Sequence, residues 1–473
     1  MSGYSIEKAY RIVSKMDNSR DRLTVFSDIA RKNRVIKCAY FFYDIAPSFI
    51  KSYLLILYGL KCYLSANWRG SPSQDIVFFA SCPNEHVAVA HLRSRLTGLK
   101  QGDLALARAN CFRLPSLLAL PEFLYHLPRL HRIARRLVRR FHFLPACRVF
   151  STMTYYLRFR RLLAAGSSKS VFIANHYSPE ALALAAAAHR SDRRVFCANH
   201  ANGSWRSGYV PPLHSDLVAV TSEVILDAYT RHSSKALNTV FVPQPSPQRP
   251  MRCRIEAGRP VTVGIFLTAL TDMAHLQRLL RQLEASPLVA RVLIRAHPVK
   301  VVNEDLSAVV GQGARVEESA GLPLFENISR CDIAICGNSS VAIDVLRGGV
   351  PVFFDDGLDE LASDINGYLR ENLVMAMPGQ LDAAALRSLE SFYARAEWVD
   401  IMRRYDAAYG RDEDVMFEKL RDAVVRQLRA QAAPARRFRR RRPVAGRPPL
   451  PVVGPSWRQD PRFGVPAARS GAV

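Results

Sequence analysis

The 473-residue sequence predicts an α/β protein with two successive parallel-sheet domains. From Asp75 onward, short runs rich in β-branched and aromatic residues alternate with longer helical patterns, which is typical of a parallel sheet. Residues 243–250 then carry four prolines. Proline lacks the backbone donor that a helix interior or central strand requires, so this segment interrupts the alternation. The alternation resumes beyond it, and we therefore predict separate domains at 71–245 and 255–430.

The first domain is expected to contain five strands, because five short apolar runs end at turn-forming or polar residues. These strands are predicted at 76–81, 171–175, 194–199, 217–221 and 240–242. Helical periodicity between them predicts helices at 84–96, 179–189 and 223–232. The region 113–161 is expected to form inserted helices.

The second domain repeats this rhythm. Its strands are predicted at 261–266, 291–295, near 314–317, at 333–336 and at 352–354. Its helices are predicted at 272–284, 324–329 and 341–347. The remainder from 383 to 429 has the pattern of amphipathic helix.

Residues 1–70 are expected to form a mostly helical N-terminal extension. Residues 35–64 are rich in aromatic residues and leucine, but Lys37, Asp44, Lys51 and Lys61 interrupt them, whereas a membrane span needs about 20 apolar residues. A buried or interfacial helix fits better, and monotopic association with an anionic lipid leaflet is the alternative.

The net charge of +25 indicates an affinity for anions, and its distribution is uneven. Residues 434–473 hold ten arginines and one aspartate in a Pro/Gly-rich sequence, so we predict a disordered basic tail that attracts a membrane surface or another polyanion. A second run of arginines extends from Arg129 to Arg161, where a solvated helix face is the preferred interpretation over a lipid-facing one. No specific nucleic-acid partner is expected.

The nine cysteines are scattered, without the spacing of a disulfide framework or a zinc site. The first residues also lack the pattern of a secretory signal. Both observations favour a cytoplasmic location.

A first candidate site follows the predicted strand at 333–336. Gly337 and Asn338 end that strand, Ser339 and Ser340 open a helix, and Gly348-Gly349 closes it. Backbone N–H groups at Ser339 and Ser340 are expected to be unpaired and to attract an anion such as a diphosphate. The alternative is that Ser339 is only a helix cap.

A second motif, Arg295-Ala-His297-Pro-Val-Lys300, follows the strand predicted at 291–295. Ligands of open α/β sheets bind at the carboxyl ends of the strands. Together the two motifs predict a phosphate site made of Arg295, His297, Lys300, Asn338, Ser339 and Ser340. The loop Asp355-Asp356-Gly357 is interpreted as the edge of a cleft.

The order of the His-Pro strand, the Ser-Ser helix start and the closing Gly-x-Pro-Val resembles the C-terminal domain of bacterial cell-surface polysaccharide transferases of the GT-B type. These include the CDP-glycerol glycerophosphotransferases and the capsule sialyl- and Kdo-transferases. The resemblance covers about residues 170 to 355 and implies two Rossmann-like domains in the GT-B architecture. It also implies that His297, Ser339 and Ser340 hold the nucleotide phosphates of the donor.

Two histidines of the first domain are candidates for a general base. His200, before Ala201-Asn-Gly, resembles the strand-His-Gly loop of the glycerophosphotransferases, although Ala201 stands where that family has glycine. His176 follows the strand predicted at 171–175 and precedes a good helix start. The flanking residues favour His200, while a structural role for both histidines stays open.

The resemblance implies a transferase that moves a sugar or polyol phosphate from a nucleotide-activated donor to a cell-envelope polysaccharide or lipid-linked acceptor. Its expected location is the inner face of the cell membrane, with an anionic membrane surface as a partner and neither metal nor other cofactor. Two alternatives stand beside it: a UDP-sugar 2-epimerase of the same architecture, and a non-catalytic polyanion-binding protein.

Overall fold

Two β-sheets, one after the other along the chain, organise the computed structural model. The residues it describes are 38, 41–43, 45–69, 74–106, 118–141, 143–176, 178–199, 214–232, 236–252, 259–268, 271–297, 306, 315–319, 321–359 and 364–432. The predictions made for His200, Lys300 and the tail at 434–473 lie outside these residues. The α/β fold class predicted from the sequence is confirmed by the strand order given below.

The N-terminal sheet has seven strands in the order β1-β3-β2-β4-β5-β6-β7. Every neighbouring pair is parallel except β1 and β3. The strands are β1 Ala66–Arg69, β2 Ile76–Phe79, β3 Gln101–Leu106, β4 Ser170–Ile173, β5 Arg194–Ala198, β6 Leu217–Val220 and β7 Thr239–Phe241. The sequence did not predict β1 and β3, because β1 is short and β3 carries Gly102 and Asp103 in place of an apolar run.

Six helices accompany this sheet: α1 Ser48–Ser65, α2 Pro83–Arg95, α3 Leu120–Val138, α4 Phe143–Ala165, α5 Pro179–Arg190 and α6 Glu223–His232. The inserted helices predicted between 113 and 161 correspond to α3 and most of α4. Helix α1 packs on both of them, and Leu55, Ile56 and Tyr63 share one buried core with β2 and β4. The segment interpreted as an extension therefore contributes to the core of the first sheet.

The C-terminal sheet has six parallel strands in the order β10-β9-β8-β11-β12-β13. They are β8 Val261–Phe266, β9 Val289–Arg295, β10 Val316–Glu318, β11 Ile333–Cys336, β12 Val352–Phe354 and β13 Met375–Ala376. The helices are α7 Met273–Ala285, α8 Leu324–Ser329, α9 Val341–Arg347, α10 Ala383–Tyr393, α11 Trp398–Tyr405 and α12 Glu413–Ala432, with a 3-10 turn at Asp356–Leu358. Strands β11 and β12 are buried along their whole length, as expected for parallel strands covered on both faces.

The last helix returns to the first sheet. Helices α10 and α11 belong to the core of the C-terminal sheet through Leu389, Trp398 and Met402. In contrast, Leu420 and Val424 of α12 are buried in a core shared with strands of the N-terminal sheet. The amphipathic pattern predicted at 383–429 is thus divided between the two cores.

A buried ion-pair network joins the segments where this crossing occurs. Arg347, at the end of α9, is fully buried and forms ion pairs with Asp406 and Glu413. Its Nε donates to the carbonyl oxygen of Ser246 in the proline-rich segment, at 2.7 Å. One side chain therefore ties the connection between the sheets to the start of α12.

Candidate functional site

Both sheets contain a point where the strand order reverses. In the C-terminal sheet the chain builds β8, β9 and β10 in one direction and β11, β12 and β13 in the other, so the reversal lies between β8 and β11. In the N-terminal sheet it lies between β2 and β4. Open α/β sheets bind ligands beyond the carboxyl ends of the strands at such a point. The residues just after β2, β4, β8 and β11 therefore define the candidate site.

Asp359 fastens the loops at the reversal of the C-terminal sheet. Its carboxylate accepts hydrogen bonds from the hydroxyl of Thr268, beyond β8, and from the backbone N–H of Asn338, beyond β11. A Cβ atom at Gly337 would lie 2.2 Å from Asp359 Oδ2, so only glycine fits there. Burial raises the pKa of Asp359. The sequence analysis did not single out this residue, because its partners are distant in sequence.

The predicted phosphate-binding segment forms a tight turn. The N–H of Ser339 donates to the carbonyl oxygen of Gly337 at 2.8 Å. Our expectation that this N–H is unpaired is therefore wrong, since the turn that ends β11 uses it. Ser339 Oγ accepts from the N–H of Val341 at 3.4 Å, and Asn338 Oδ1 accepts from that of Ile365 at 2.9 Å. Ser340 precedes the first residue of α9 and makes no side-chain hydrogen bond to the helix.

The second motif lies at the end of β9, next to β8. Arg295 Nη1 donates to the carbonyl oxygen of Leu322 at 2.6 Å and more weakly to that of Ser319. Burial lowers the pKa of this guanidinium. Arg295 thus fastens the loop after β10, and its role toward a phosphate stays a prediction. His297 is half-buried two residues beyond β9, at the same carboxyl edge as Ser339 and Ser340.

A histidine–aspartate pair lies beside this edge. Asp355 follows β12, and its Oδ2 lies 2.8 Å from Nε2 of His275 on α7. Asp355 Oδ1 accepts from the N–H of Gly357 at 3.0 Å. A Cβ atom at Gly357 would lie 2.4 Å from the His275 ring, so the turn closes tightly over the imidazole. The loop interpreted from the sequence as a cleft edge is therefore fixed to α7.

At the N-terminal sheet, Glu85 joins the ends of β2 and β4. Its Oε2 accepts from the N–H of Ser81 at 2.6 Å and from the Ser81 hydroxyl at 2.9 Å. Its Oε1 accepts from the side-chain amide of Asn175, whose Oδ1 accepts from the N–H of Ser178. Glu85 is buried. These bonds fix the starts of α2 and α5 relative to the sheet.

Glu180 is a further carboxyl group at this edge. It lies in the first turn of α5, near the hydroxyls of Ser81 and Ser178 and near Glu85, and burial raises its pKa. A carboxyl whose pKa is raised by burial is a candidate proton donor or acceptor for catalysis. An acidic residue after Pro179 is an ordinary helix-start signal, which is why the sequence analysis did not identify Glu180 as functional.

Of the two histidines predicted as general bases, the structure describes His176 but not His200. His176 is buried beyond β4, and its ring packs edge-on against Tyr229 with centroids 5.0 Å apart. Ser178 Oγ accepts from the N–H of Ala181 at 3.3 Å, so the helix start predicted after His176 is confirmed. A structural role for His176 agrees with this environment. His200 follows Asn199, the last described residue beyond β5.

The described part of the chain contains no group of three or more His, Cys, Asp or Glu side chains placed to hold a metal ion. Within the same residues, no helix has the length and apolar character needed to cross a bilayer.

No protein-family model matches the chain, and no curated protein matches it in sequence. Solved structures resemble it in fold. MurG of Acinetobacter baumannii is 13% identical over 74% of this chain and 99% of its own, with a TM-score of 0.40. An S. aureus MnaA structure with UDP is 10% identical over 75% and 97%, with a TM-score of 0.47. The calicheamicin glycosyltransferase CalG4 is 13% identical over 77% and 100%, with a TM-score of 0.46. At these values the likenesses carry no argument about activity, which has to come from the site.

Proposed function

We propose that the chain is a transferase that uses a nucleotide-activated donor. In detail, it moves a sugar or polyol phosphate to a hydroxyl of a cell-envelope glycan or lipid-linked acceptor at the inner face of the cell membrane. One observation carries this proposal: His297 follows β9 and the hydroxyls of Ser339 and Ser340 follow β11, so they lie at the carboxyl edge of the C-terminal sheet on either side of its reversal point. Imidazole and hydroxyl donors at such a position suit the phosphates of a nucleotide.

The proposed reaction divides the work between the two sheets. A base of the N-terminal domain removes the proton of the acceptor hydroxyl, and the acceptor oxygen bonds to the transferred group. The bond from that group to the nucleotide phosphate breaks, and the electron pair leaves with the phosphate. His297, Ser339 and Ser340 stabilise the charge that develops there. His200 is the favoured base, His176 is the alternative, and Glu180 is added by its position and its raised pKa.

The test supplies the enzyme with CDP-glycerol, CMP-N-acetylneuraminate or UDP-N-acetylglucosamine, with and without a bacterial membrane extract as acceptor. We expect release of free nucleotide from one donor and only when the extract is present. Release of an epimerised sugar without extract would establish the 2-epimerase instead. Failure of every donor to react, together with tight binding to a polyanion such as heparin, would support a non-catalytic binding protein.

A further inference from the structure

Helix α1 has apolar residues on two opposite faces. One face is buried against α3 and α4 through residues such as Leu55, Ile56 and Tyr63. The other face is exposed and repeats at intervals of three and four residues, which is one side of a helix. We name this face the outer stripe; it consists of Phe49, Ile50, Tyr53, Leu54, Leu57 and Tyr58.

The outer stripe belongs to a larger exposed apolar surface. Among the residues that the structure describes, 14 large apolar side chains are exposed, and all but Val87 and Val415 lie in 41–58 or 118–125. Helix α3 runs antiparallel beside α1, because the Tyr53 ring contacts His131 while the Tyr63 hydroxyl bonds to Glu122 at 2.8 Å. Singly scattered apolar residues need no explanation, whereas a contiguous patch of this kind marks a binding surface.

Positive charge borders this surface. Helical spacing places Leu124 and Arg135 on the same side of α3 as His131, which contacts Tyr53 of α1, and Arg139 directly follows the end of α3. Both arginines are exposed, and so is Lys61 near the end of the outer stripe. Residues 45–65 contain no Asp or Glu, and Glu122 is occupied by Tyr63 and Arg161. The surface therefore combines an apolar centre with a cationic border.

We propose that the outer stripe docks on an anionic lipid bilayer, with α1 lying in the plane of the interface. Apolar side chains then enter the acyl boundary, while the lysine and arginine heads reach the headgroup phosphates. A second copy of the chain fits less well, because a two-fold contact would bring two identical cationic borders together. This inference deepens the membrane location in the proposed function by naming the surface, and it does not depend on the transfer reaction.

The test compares the full chain with Phe49→Asp/Leu57→Asp, in which both replaced residues are exposed (59% and 63%). The matched control is Val87→Asp/Val415→Asp, which changes two exposed apolar residues elsewhere (56% and 44%). Co-sedimentation with phosphatidylglycerol-containing vesicles is measured at about 0.1 M and about 1 M salt, where the Debye length falls from about 10 Å to about 3 Å.

We expect the wild type and the control to bind, and the outer-stripe variant to bind about tenfold or more weakly. At high salt the wild type should still bind vesicles more strongly than the outer-stripe variant, because salt does not screen the burial of apolar surface. Equal binding of wild type and outer-stripe variant would overturn the proposal. A second result would also overturn it: the wild type is a dimer in sedimentation velocity, the outer-stripe variant is a monomer, and neither protein binds vesicles. Donor turnover with a soluble acceptor should be equal in both, so a failed transfer reaction remains distinguishable from failed docking.

Discussion

Single buried carboxylates hold the strand ends at both candidate edges. Glu85 bonds to residues that follow β2 and β4, and Asp359 bonds to residues that follow β8 and β11. Each carboxylate accepts hydrogen bonds from groups that the end of a strand would otherwise leave unpaired. The loops that we propose to face a ligand are thereby fixed without it, which lowers the free-energy cost of ordering them on binding.

The base assignment is tested by two alanine variants. His200→Ala should lower turnover by about 10²–10⁴-fold with donor binding preserved, which is the usual cost of losing a general base. His176→Ala should act mainly on stability, because the ring is buried against Tyr229. Steady-state kinetics and thermal melting of the same preparations separate the two effects. Full activity of His200→Ala would transfer the role to another group, and Glu180→Gln is then the next variant to measure.

Because the pKa of Asp344 is raised in the folded protein, we expect the stability of the fold to depend on pH. Burial raises its pKa to about 7, whereas the unfolded chain releases this proton near the ordinary value of about 4. The folded state therefore binds more protons than the unfolded state between these values, and stability falls as pH rises. Between about pH 5.5 and about pH 8 the loss should be on the order of 2 kcal/mol.

Urea denaturation of the wild type and of Asp344→Asn at both pH values measures this effect. Asp344→Asn has no titrating group at this position, so its free energy of unfolding should lack the part of the pH-dependent fall that Asp344 causes. The same pH dependence in both proteins would show that Asp344 does not titrate in this range.

At the scale of elements, local pattern predicted most strands and helices but not where they pack. Strand β8 and helices α6, α8 and α9 begin and end where expected, because caps and apolar runs lie within each segment. Strand β3 and the destination of α12 were not predictable, since they depend on neighbours far along the chain. The same limit applies to the site: Thr268 and Asp359 are 91 residues apart.

The buried ion pairs of Arg347, which connect α9 to Asp406 and to the start of α12, are expected to stabilise the fold. Replacement of Arg347 by Met leaves Asp406 buried without its ion-pair partner, and removal of one partner of a buried pair costs about 3–5 kcal/mol. Arg330→Met is the matched control, because the Arg330–Glu326 pair is exposed and such pairs contribute about 0–1 kcal/mol. Urea midpoints at constant pH measure the loss of stability in both variants. Equal small losses would mean that the Arg347 network does not stabilise the fold.

At the scale of the whole molecule, the charge predicts how the protein distributes in a cell. The net charge of +25 includes a tail at 434–473 with ten arginines and one aspartate. Arginine near an anionic leaflet contributes about 1 kcal/mol per residue. Truncation after Ala433 should therefore weaken membrane binding and shift part of the protein from the membrane fraction to the soluble fraction, and the difference from the full chain should shrink as salt is raised. Loss of activity on a soluble acceptor in the truncated protein would assign the tail to the reaction.

The most direct measurement of the central claim, that the carboxyl edge of the C-terminal sheet holds a nucleotide, is thermal melting with CDP, CMP, UDP and GDP. One nucleotide should stabilise the wild type, by about 2.7 kcal/mol at about one hundred times its Kd. His297→Ala should lose this stabilisation while its unliganded Tm stays unchanged. His189→Ala should keep the stabilisation, because that histidine pairs with Asp216 at the opposite edge of the other sheet. Full stabilisation of His297→Ala, or none of the wild type by any of the four nucleotides, would contradict the claim.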